Sequence, residues 1–246
     1  MGSDLLTIKH LNLYSREGRH LVKDVSLSIG HGETLGIVGE SGSGKTLTLK
    51  AIIGLLPTGI RETCEEKKLE GKCAMIFQSP LTSLDPLYPV FRQLVDVVEY
   101  RQGVSRPEAQ KIAEGWLQKL SLPEDLAEED RYPGELSGGQ CQRVLIALAL
   151  ATKPDVLLCD EPTTALDVTV QKQVIDLLKD LQKELGFAMI FVTHNLAVAS
   201  QLCERLAVMR HGEIIEEGRK ADVLKHPAHA YTKELVDSVL SVPEVD

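Results

Sequence analysis

Gly39-Glu40-Ser41-Gly42-Ser43-Gly44-Lys45-Thr46 is the stretch on which the reading of this chain turns. The apolar run Leu35-Gly36-Ile37-Val38 precedes it and a helix-like segment, Leu47 to Leu56, follows, so it occupies a strand-to-helix turn. Ser41, Gly42, Ser43 and Gly44 are small because the backbone must close around a polyphosphate with its N–H groups pointing inward, and a bulky Cβ would block the approach. The helix behind adds its positive N-terminal end. In this context Lys45 is expected to reach the β- and γ-phosphates of a nucleotide, and the Thr46 hydroxyl to ligate a bridging Mg²⁺. A chance Gly/Ser-rich surface turn would lack the apolar strand in front.

Outward from that turn, the chain has 246 residues, 43% of them hydrophobic, which suffices for one sizeable core with a smaller lobe attached. A net charge of −9 argues against a nucleic-acid groove, where affinity comes from Lys and Arg neutralising phosphates. The longest apolar run, Val144 to Ala151, is far short of the roughly 20 residues that span a bilayer. With no signal-like N-terminal pattern either, the chain reads as cytosolic or peripheral. Five scattered cysteines without a C-x-x-C pair suggest neither a disulfide framework nor a zinc site, and Cys159 reads as a small core residue.

Ahead of the turn, Leu6, Ile8, Leu11 and Leu13 mark one strand and Val25, Leu27 and Ile29 a second, implying an antiparallel sheet at the front. Tyr14 could stack on an adenine ring or simply pack at a sheet edge. Behind the turn, Pro57-Thr58-Gly59 breaks the chain and Glu62 to Lys68 reads as a solvated loop. A strand over Cys73 to Phe77 ends on Gln78, and the proline-rich Ser79 to Pro89 reads as a loop without regular structure. From Phe91 to Leu122 the pattern is helical. Ser105-Arg106-Pro107-Glu108 reads as a capping box, followed by a buried stripe of Ile112, Trp116, Leu117 and Leu120.

Leu136-Ser137-Gly138-Gly139-Gln140 opens another helix, and its small residues at a helix start make a second anion site by the same physics as the first. Val156 to Cys159 is a buried strand that delivers Asp160 and Glu161 at its C-terminal end. After a helix stopping at Gly186, Phe187 to Val192 puts Thr193 and His194 at another strand tip. Helices alternating with buried strands predict a parallel sheet covered on both faces, with ligands at the strands' C-terminal ends. A hairpin turning at His211-Gly212 and short helices around Ala221 to Lys225 and Tyr231 to Leu240 follow. The adjacent carboxylates have a chemical logic beside a phosphate loop: Asp160 holds Mg²⁺, directly or through water, and Glu161 polarises the attacking water. Gln78 could help place metal and water. His194 could contact the γ-phosphate, or be a satisfied strand-end histidine.

Taken together, these stretches resemble the ATP-binding subunit of an ATP-binding-cassette transporter over nearly the whole chain. Gly39 to Thr46 is similar to that family's phosphate loop, Gln78 to its glutamine loop, and Leu136 to Gln140 to its signature motif. Val156 to Asp160 with Glu161 looks like the second nucleotide motif and its catalytic glutamate, Ala165-Leu166-Asp167 like the loop that touches a partner cassette, and His194 like the switch histidine. Tyr14 falls roughly at the adenine-stacking position, and Leu47 stands where many cassettes carry a second hydroxyl. The resemblance implies an α/β P-loop NTPase (RecA-like) core with a mostly parallel sheet. It implies one domain over residues 1–246: an antiparallel β lobe at about 1–34 and 60–77, a helical signature subdomain at about 90–135, and a C-terminal helical tail at 220–246. It implies ATP and Mg²⁺ as ligands, and a head-to-tail pair in which Ser137, Gly138, Gly139 and Gln140 of one chain complete the ATP site of the other. Implied partners are a second, unlike cassette, two membrane permease subunits and an extracellular solute-binding protein, with no nucleic acid. The implied location is the cytoplasmic face of the cell membrane.

Phe77-Gln78-Ser79-Pro80-Leu81-Thr82-Ser83-Leu84-Asp85-Pro86 and the tail His226-Pro227-Ala228-His229-Ala230-Tyr231-Thr232 are similar to importers of oligopeptides, dipeptides and nickel. Ending at Asp246 without a cysteine-rich extension, and with Leu56-Pro57-Thr58-Gly59-Ile60-Arg61 after the first helix, the chain looks more like nickel or nickel-chelate importers than peptide ones. His226 and His229 invite a nickel-ligand reading that the same tail in peptide importers opposes. Besides Leu47, two departures stand out: the segment from Ile60 to Cys73 is short, so the lobe is expected to lack a hairpin, and Cys141 follows the signature in place of a longer side chain. A soluble cassette ATPase acting on DNA or ribosomes would carry coiled coils or tandem cassettes. A regulatory cassette without turnover would not need Glu161 and His194.

Overall fold

A computed structural model describes residues 4–164 and 166–240. Ala165 of the expected partner loop and the end of the tail beyond 240 lie outside the described residues.

The front of the chain alternates apolar and polar residues and forms β1 (Leu6–Tyr14) and β2 (His20–Ile29), paired antiparallel. The alternation slips between Ile8 and Leu11, where His10 takes φ 54° opposite Asp24 at φ 53° and a bulge re-aligns the apolar face. The apolar run before the glycine-rich turn is β3 (Thr34–Val38), buried at every position, and the turn feeds α1 (Lys45–Ile53), which ends at Gly54 with φ 76°.

Residues 62–68, expected as a solvated loop, instead contribute to two strands. β4 (Arg61–Thr63) and β5 (Glu66–Leu69) both pair antiparallel along the free edge of β1. An edge strand gains its backbone bonds from one neighbour and leaves its side chains in water, so charges mark it rather than exclude it. The two pieces lie on one edge of β1, and β2 on the other.

β6 (Cys73–Ile76) leads to Gln78, and the proline-rich loop contains a single turn of helix, α2 (Pro80–Ser83), begun by Pro80 at its first position. The helical stretch is two helices, α3 (Val90–Gln102) and α4 (Arg106–Lys119), separated at Gly103 with φ 67°. Ser105 stands at the N-cap of α4 without a side-chain bond, so the expected capping box does not form there. The buried face of α4 is Ala109, Ala113 and Leu117, while Ile112 and Trp116 are only partly buried.

α5 (Gly138–Ala151) precedes β7 (Val156–Asp160), and α6 (Val168–Leu185), stopped by Gly186 at φ 73°, precedes β8 (Ala188–Thr193). Then come α7 (Leu196–Leu202), the hairpin of β9 (Arg205–Arg210) and β10 (Glu213–Arg219), and the tail helices α8 (Lys220–Lys225) and α9 (Ala230–Leu240). The central sheet runs β10-β9-β3-β8-β7-β6, parallel except for β10 at one edge. Its continuous apolar strands are sorted residue by residue. Val156 and Leu158 pack towards α1 and the antiparallel lobe, whereas Leu157 and Cys159 pack towards the helices on the other face. Each such fully buried leucine contributes roughly 1.5–3 kcal/mol, which fixes the register. That register sets Val38 beside Thr193 and Asp160 beside Val192, so three strand tips end on one rim. Among the described residues no helix is long and apolar enough to cross a membrane.

Candidate functional site

The turn after β3 closes against the end of β9. A Cβ on Gly39 would stand 2.0 Å from the Met209 carbonyl oxygen, and one on Gly44, at φ 107°, would stand 2.8 Å from the Met209 side chain. Only glycine lets the loop lie this close to the neighbouring strand. The N–H of Gly212 donates to the Ser43 carbonyl at 2.9 Å from the hairpin turn. Lys45 begins α1 but folds back over the loop, donating to the carbonyls of Gly39 at 2.7 Å and Glu40 at 2.8 Å. Burial lowers the Lys45 pKa from its ordinary value, and the nearby Glu161 and Asp160 carboxylates oppose that shift. Ser43 Oγ is buried and has no protein partner.

A cleft of about 630 Å³ opens over the loop, within the size range of nucleotide sites. Ser41, Gly42, Gly44, Lys45, Thr46 and Leu47 form one wall. Gln78, Glu161 and His194 reach it from the ends of β6, β7 and β8. Thr46 Oγ1 donates to Asp160 Oδ1 at 2.8 Å. Burial raises the Asp160 pKa, and the Thr46 bond works against that rise. Thr46, Asp160 and Gln78 also share a smaller adjoining pocket, a set of oxygen donors that suits a hard divalent cation.

Glu161 is held on every side. Its N–H donates to the Val192 carbonyl at 3.0 Å, and its φ of 45° bends the chain sharply out of β7. A non-glycine residue in that region costs of order 1–3 kcal/mol and persists where the surroundings over-determine it, often at functional sites. Oε2 accepts the Thr164 hydroxyl at 2.8 Å and lies 3.1 Å from His194 Nδ1, while Oε1 is 3.8 Å from Lys45 Nζ. Burial pushes the carboxyl pKa up, but the bonds from Thr164 and His194 and the Lys45 charge bring it below the ordinary value. Glu161 is therefore a carboxylate at neutral pH, able only to accept, so the His194 nitrogen facing it is the donor.

Other predicted residues lie apart. The ring of Tyr14 stacks on His20 at 4.4 Å and carries the Arg61 guanidinium 4.4 Å from its centroid, and Tyr14 does not line the cleft. Nor do Ser137, Gly138, Gly139 and Gln140, which open α5. There a capping box does form: Gln140 N–H donates to Ser137 Oγ at 3.2 Å, and Ser137 N–H to Gln140 Oε1 at 2.9 Å. Ser137 and Gly138 remain exposed. Asp167 caps α6, its Oδ1 accepting the Val170 N–H at 2.9 Å. Cys141 is buried, its thiol 3.4 Å from the Pro133 carbonyl.

Sequence reasoning missed Thr164 as a partner of Glu161, although it lies within the motif, and missed Leu21 and Leu235 in the cleft wall. Leu235 comes from α9, almost two hundred residues away, and no local pattern announces such a contact.

The arrangement brings a glycine-rich loop, a pocket lined by oxygen donors and an ionised carboxylate together around one cleft. The ABC transporter family model matches residues 22–164. The probable D,D-dipeptide transport ATP-binding protein DdpD of Escherichia coli (strain K12) is 45% identical over 231 residues, covering 87% of this chain and 70% of its own length. The oligopeptide transport ATP-binding protein AmiE of Streptococcus pneumoniae serotype 4 is 42% identical, over 89% of this chain and 66% of its own length. The glutathione import ATP-binding protein GsiA of Salmonella paratyphi A is 40% identical over 96% of this chain, which spans only 42% of GsiA. Among solved structures, cbiO1 from Clostridium perfringens, part of the ABC transporter complex cbiONQ, superposes with a TM-score of 0.75 at 28% identity, over 98% of this chain and 96% of its own. A dimeric ATP-binding cassette in a post-hydrolysis state with ADP and Pi superposes with a TM-score of 0.73 at 33% identity, over 88% of this chain and 99% of its own.

Proposed function

Since the chain belongs to the ABC transporter family, we propose that it is the ATP-hydrolysing subunit that energises an importer for small peptides, working on the cytoplasmic face of the membrane. The relatives named for D,D-dipeptides, oligopeptides and glutathione support peptide cargo. They move the balance away from the nickel or nickel-chelate cargo that the sequence alone favoured. His229 Nδ1, a candidate nickel ligand, instead accepts the Tyr231 N–H at 3.1 Å. The partners that fit are two permease subunits, a solute-binding protein outside the membrane, and a second, unlike cassette.

The observation that carries the reading is Glu161 in the phosphate cleft, anchored by His194 and Thr164 and facing Lys45. In this mechanism the loop amides and Lys45 hold the β- and γ-phosphates of ATP, with Leu47 in the same wall. Thr46, Asp160 and Gln78 would hold Mg²⁺, which when bound neutralises the charge between those phosphates. Glu161 accepts a proton from water as the water's oxygen bonds to the γ-phosphorus and the bond to the β–γ bridging oxygen breaks, releasing ADP and phosphate, and His194 fixes the carboxylate's direction from the far oxygen. Tyr14 is the adenine platform, which requires His20 or Arg61 to leave one ring face. Ser137, Gly138, Gly139 and Gln140 serve the ATP of a second chain, and Asp167 and its neighbours meet that chain. This accounts for two anion-binding helix starts on one chain of which only one opens into its own cleft.

The test is Glu161→Gln in the purified complex. Turnover should fall at least about 100-fold while MgATP affinity stays within about two-fold. Turnover near the wild-type rate would remove Glu161 from this role.

A further inference from the structure

The tail motif that invited a metal reading has another use in the structure. The carboxylate of Glu216, on β10, accepts the N–H groups of Ala228 at 2.8 Å and His229 at 3.0 Å, fixing the head of α9. That places Tyr231 in the first turn of α9, buried, with the Arg210 guanidinium 4.4 Å from its ring centroid. Its phenol oxygen accepts the N–H of Glu40 at 3.1 Å. One turn further on, Leu235 enters the wall of the nucleotide cleft.

The N–H of Glu40 and the carbonyl of Gly39 belong to one planar peptide unit. Its carbonyl accepts Lys45 Nζ at 2.7 Å, and its N–H meets Tyr231 on the opposite side. Rotating that plane to free the N–H would carry the carbonyl away from Lys45. The contact with Tyr231 therefore fixes the plane on which the phosphate-binding lysine rests, and commits this N–H away from the phosphates. We propose that Tyr231 is a positioning residue for the ATP site: through the Gly39–Glu40 peptide it presets the phosphate loop and Lys45, making the C-terminal helix part of the nucleotide-binding machinery. This rests on the reading of the cleft as an ATP site and deepens it.

Tyr231→Phe keeps the ring, the Arg210 contact and the packing, and removes only the hydroxyl, with its bonds to Glu40. Its effect should fall on ground-state binding. In the purified full-length complex, the KM for MgATP and the dissociation constant of a fluorescent ATP analogue should both rise about five-fold, the equivalent of about 1 kcal/mol. The kcat should stay within about two-fold, and the Tm measured without nucleotide should be unchanged. Tyr231→Ala should weaken nucleotide binding further. Glu234→Ala, on an exposed face of the same helix, should leave all four quantities at wild-type values. Unchanged MgATP affinity in Tyr231→Phe would overturn the proposal, as would a loss of affinity accompanied by a matching fall in nucleotide-free Tm. The ATP-site reading stands or falls separately, on whether wild type binds MgATP and Lys45→Ala abolishes that binding.

Discussion

At the head of α9, Glu216 shows how one charge can hold a tail in place. Burial opposes its ionisation, but the Thr232 hydroxyl beside it and the N–H groups of Ala228 and His229 stabilise the carboxylate and bring its pKa below the ordinary 4.5. A carboxyl depressed in the folded state adds stability that is present above the unfolded-state value and is lost as pH falls through the folded-state one. Glu216→Ala should therefore lower the Tm at pH 7 by about 2–4 °C, the effect of about 1 kcal/mol in a chain of this size. The gap between variant and wild type should close as the buffer is taken below pH 4.5 and towards the folded-state value, as thermal scans across that range would show. A gap that stays constant with pH would mean that packing, not charge, holds the helix. Glu161 is depressed against its own burial by a hydroxyl and an imidazole aimed at its far oxygen and by the Lys45 charge 3.8 Å from the near one.

At the scale of elements, α5 and α6 approach each other where Gly139 faces Val170. A Cβ at Gly139 would stand 2.8 Å from Val170 Cγ1, so the small residues of the signature serve packing as well as any bound ligand. Gly139→Ala should gain up to about 1 kcal/mol in helix propensity but lose about 1–3 kcal/mol to overpacking, for a net fall in Tm. Adding Val170→Ala should recover most of that stability without restoring turnover, a coupling that a double-mutant cycle in thermal unfolding would measure. Additive losses would place the strain elsewhere. The legible elements were those whose own residues carry the reason for their shape. Val156 to Cys159 is apolar without interruption because both sheet faces are covered, and Gly186 ends α6 because a left-handed residue closes a helix. β4 and β5 were hidden because Arg61, Glu62, Glu66, Lys67 and Lys68 sit on an edge strand, where pairing comes from β1 and polarity carries no signal. Ser105 carries the capping pattern but makes no side-chain bond, whereas Ser137 and Gln140 make both. In the site, Gly39 to Thr46, Asp160 and Glu161 were readable from local spacing. Tyr231 and Leu235 were not, because their partners lie across the fold and any aromatic or leucine on a helix reads first as core.

Across the whole molecule, the parallel sheet gathers the phosphate loop, the carboxylate pair and His194 on one rim, while Ser137 opens a helix that does not reach that cleft. Leu21 of the antiparallel lobe lines the cleft over the loop, and Tyr231 of α9 bonds to the loop at Glu40. The proposed pairing is tested by nucleotide occlusion in the assembled complex. Complexes carrying Glu161→Gln and the matching substitution in the second cassette, loaded with labelled MgATP and passed through a desalting column, should keep nucleotide in both sites, and adding Ser137→Arg should release the nucleotide held by the second cassette. Equal retention with and without Ser137→Arg would contradict closure of the site by a second chain.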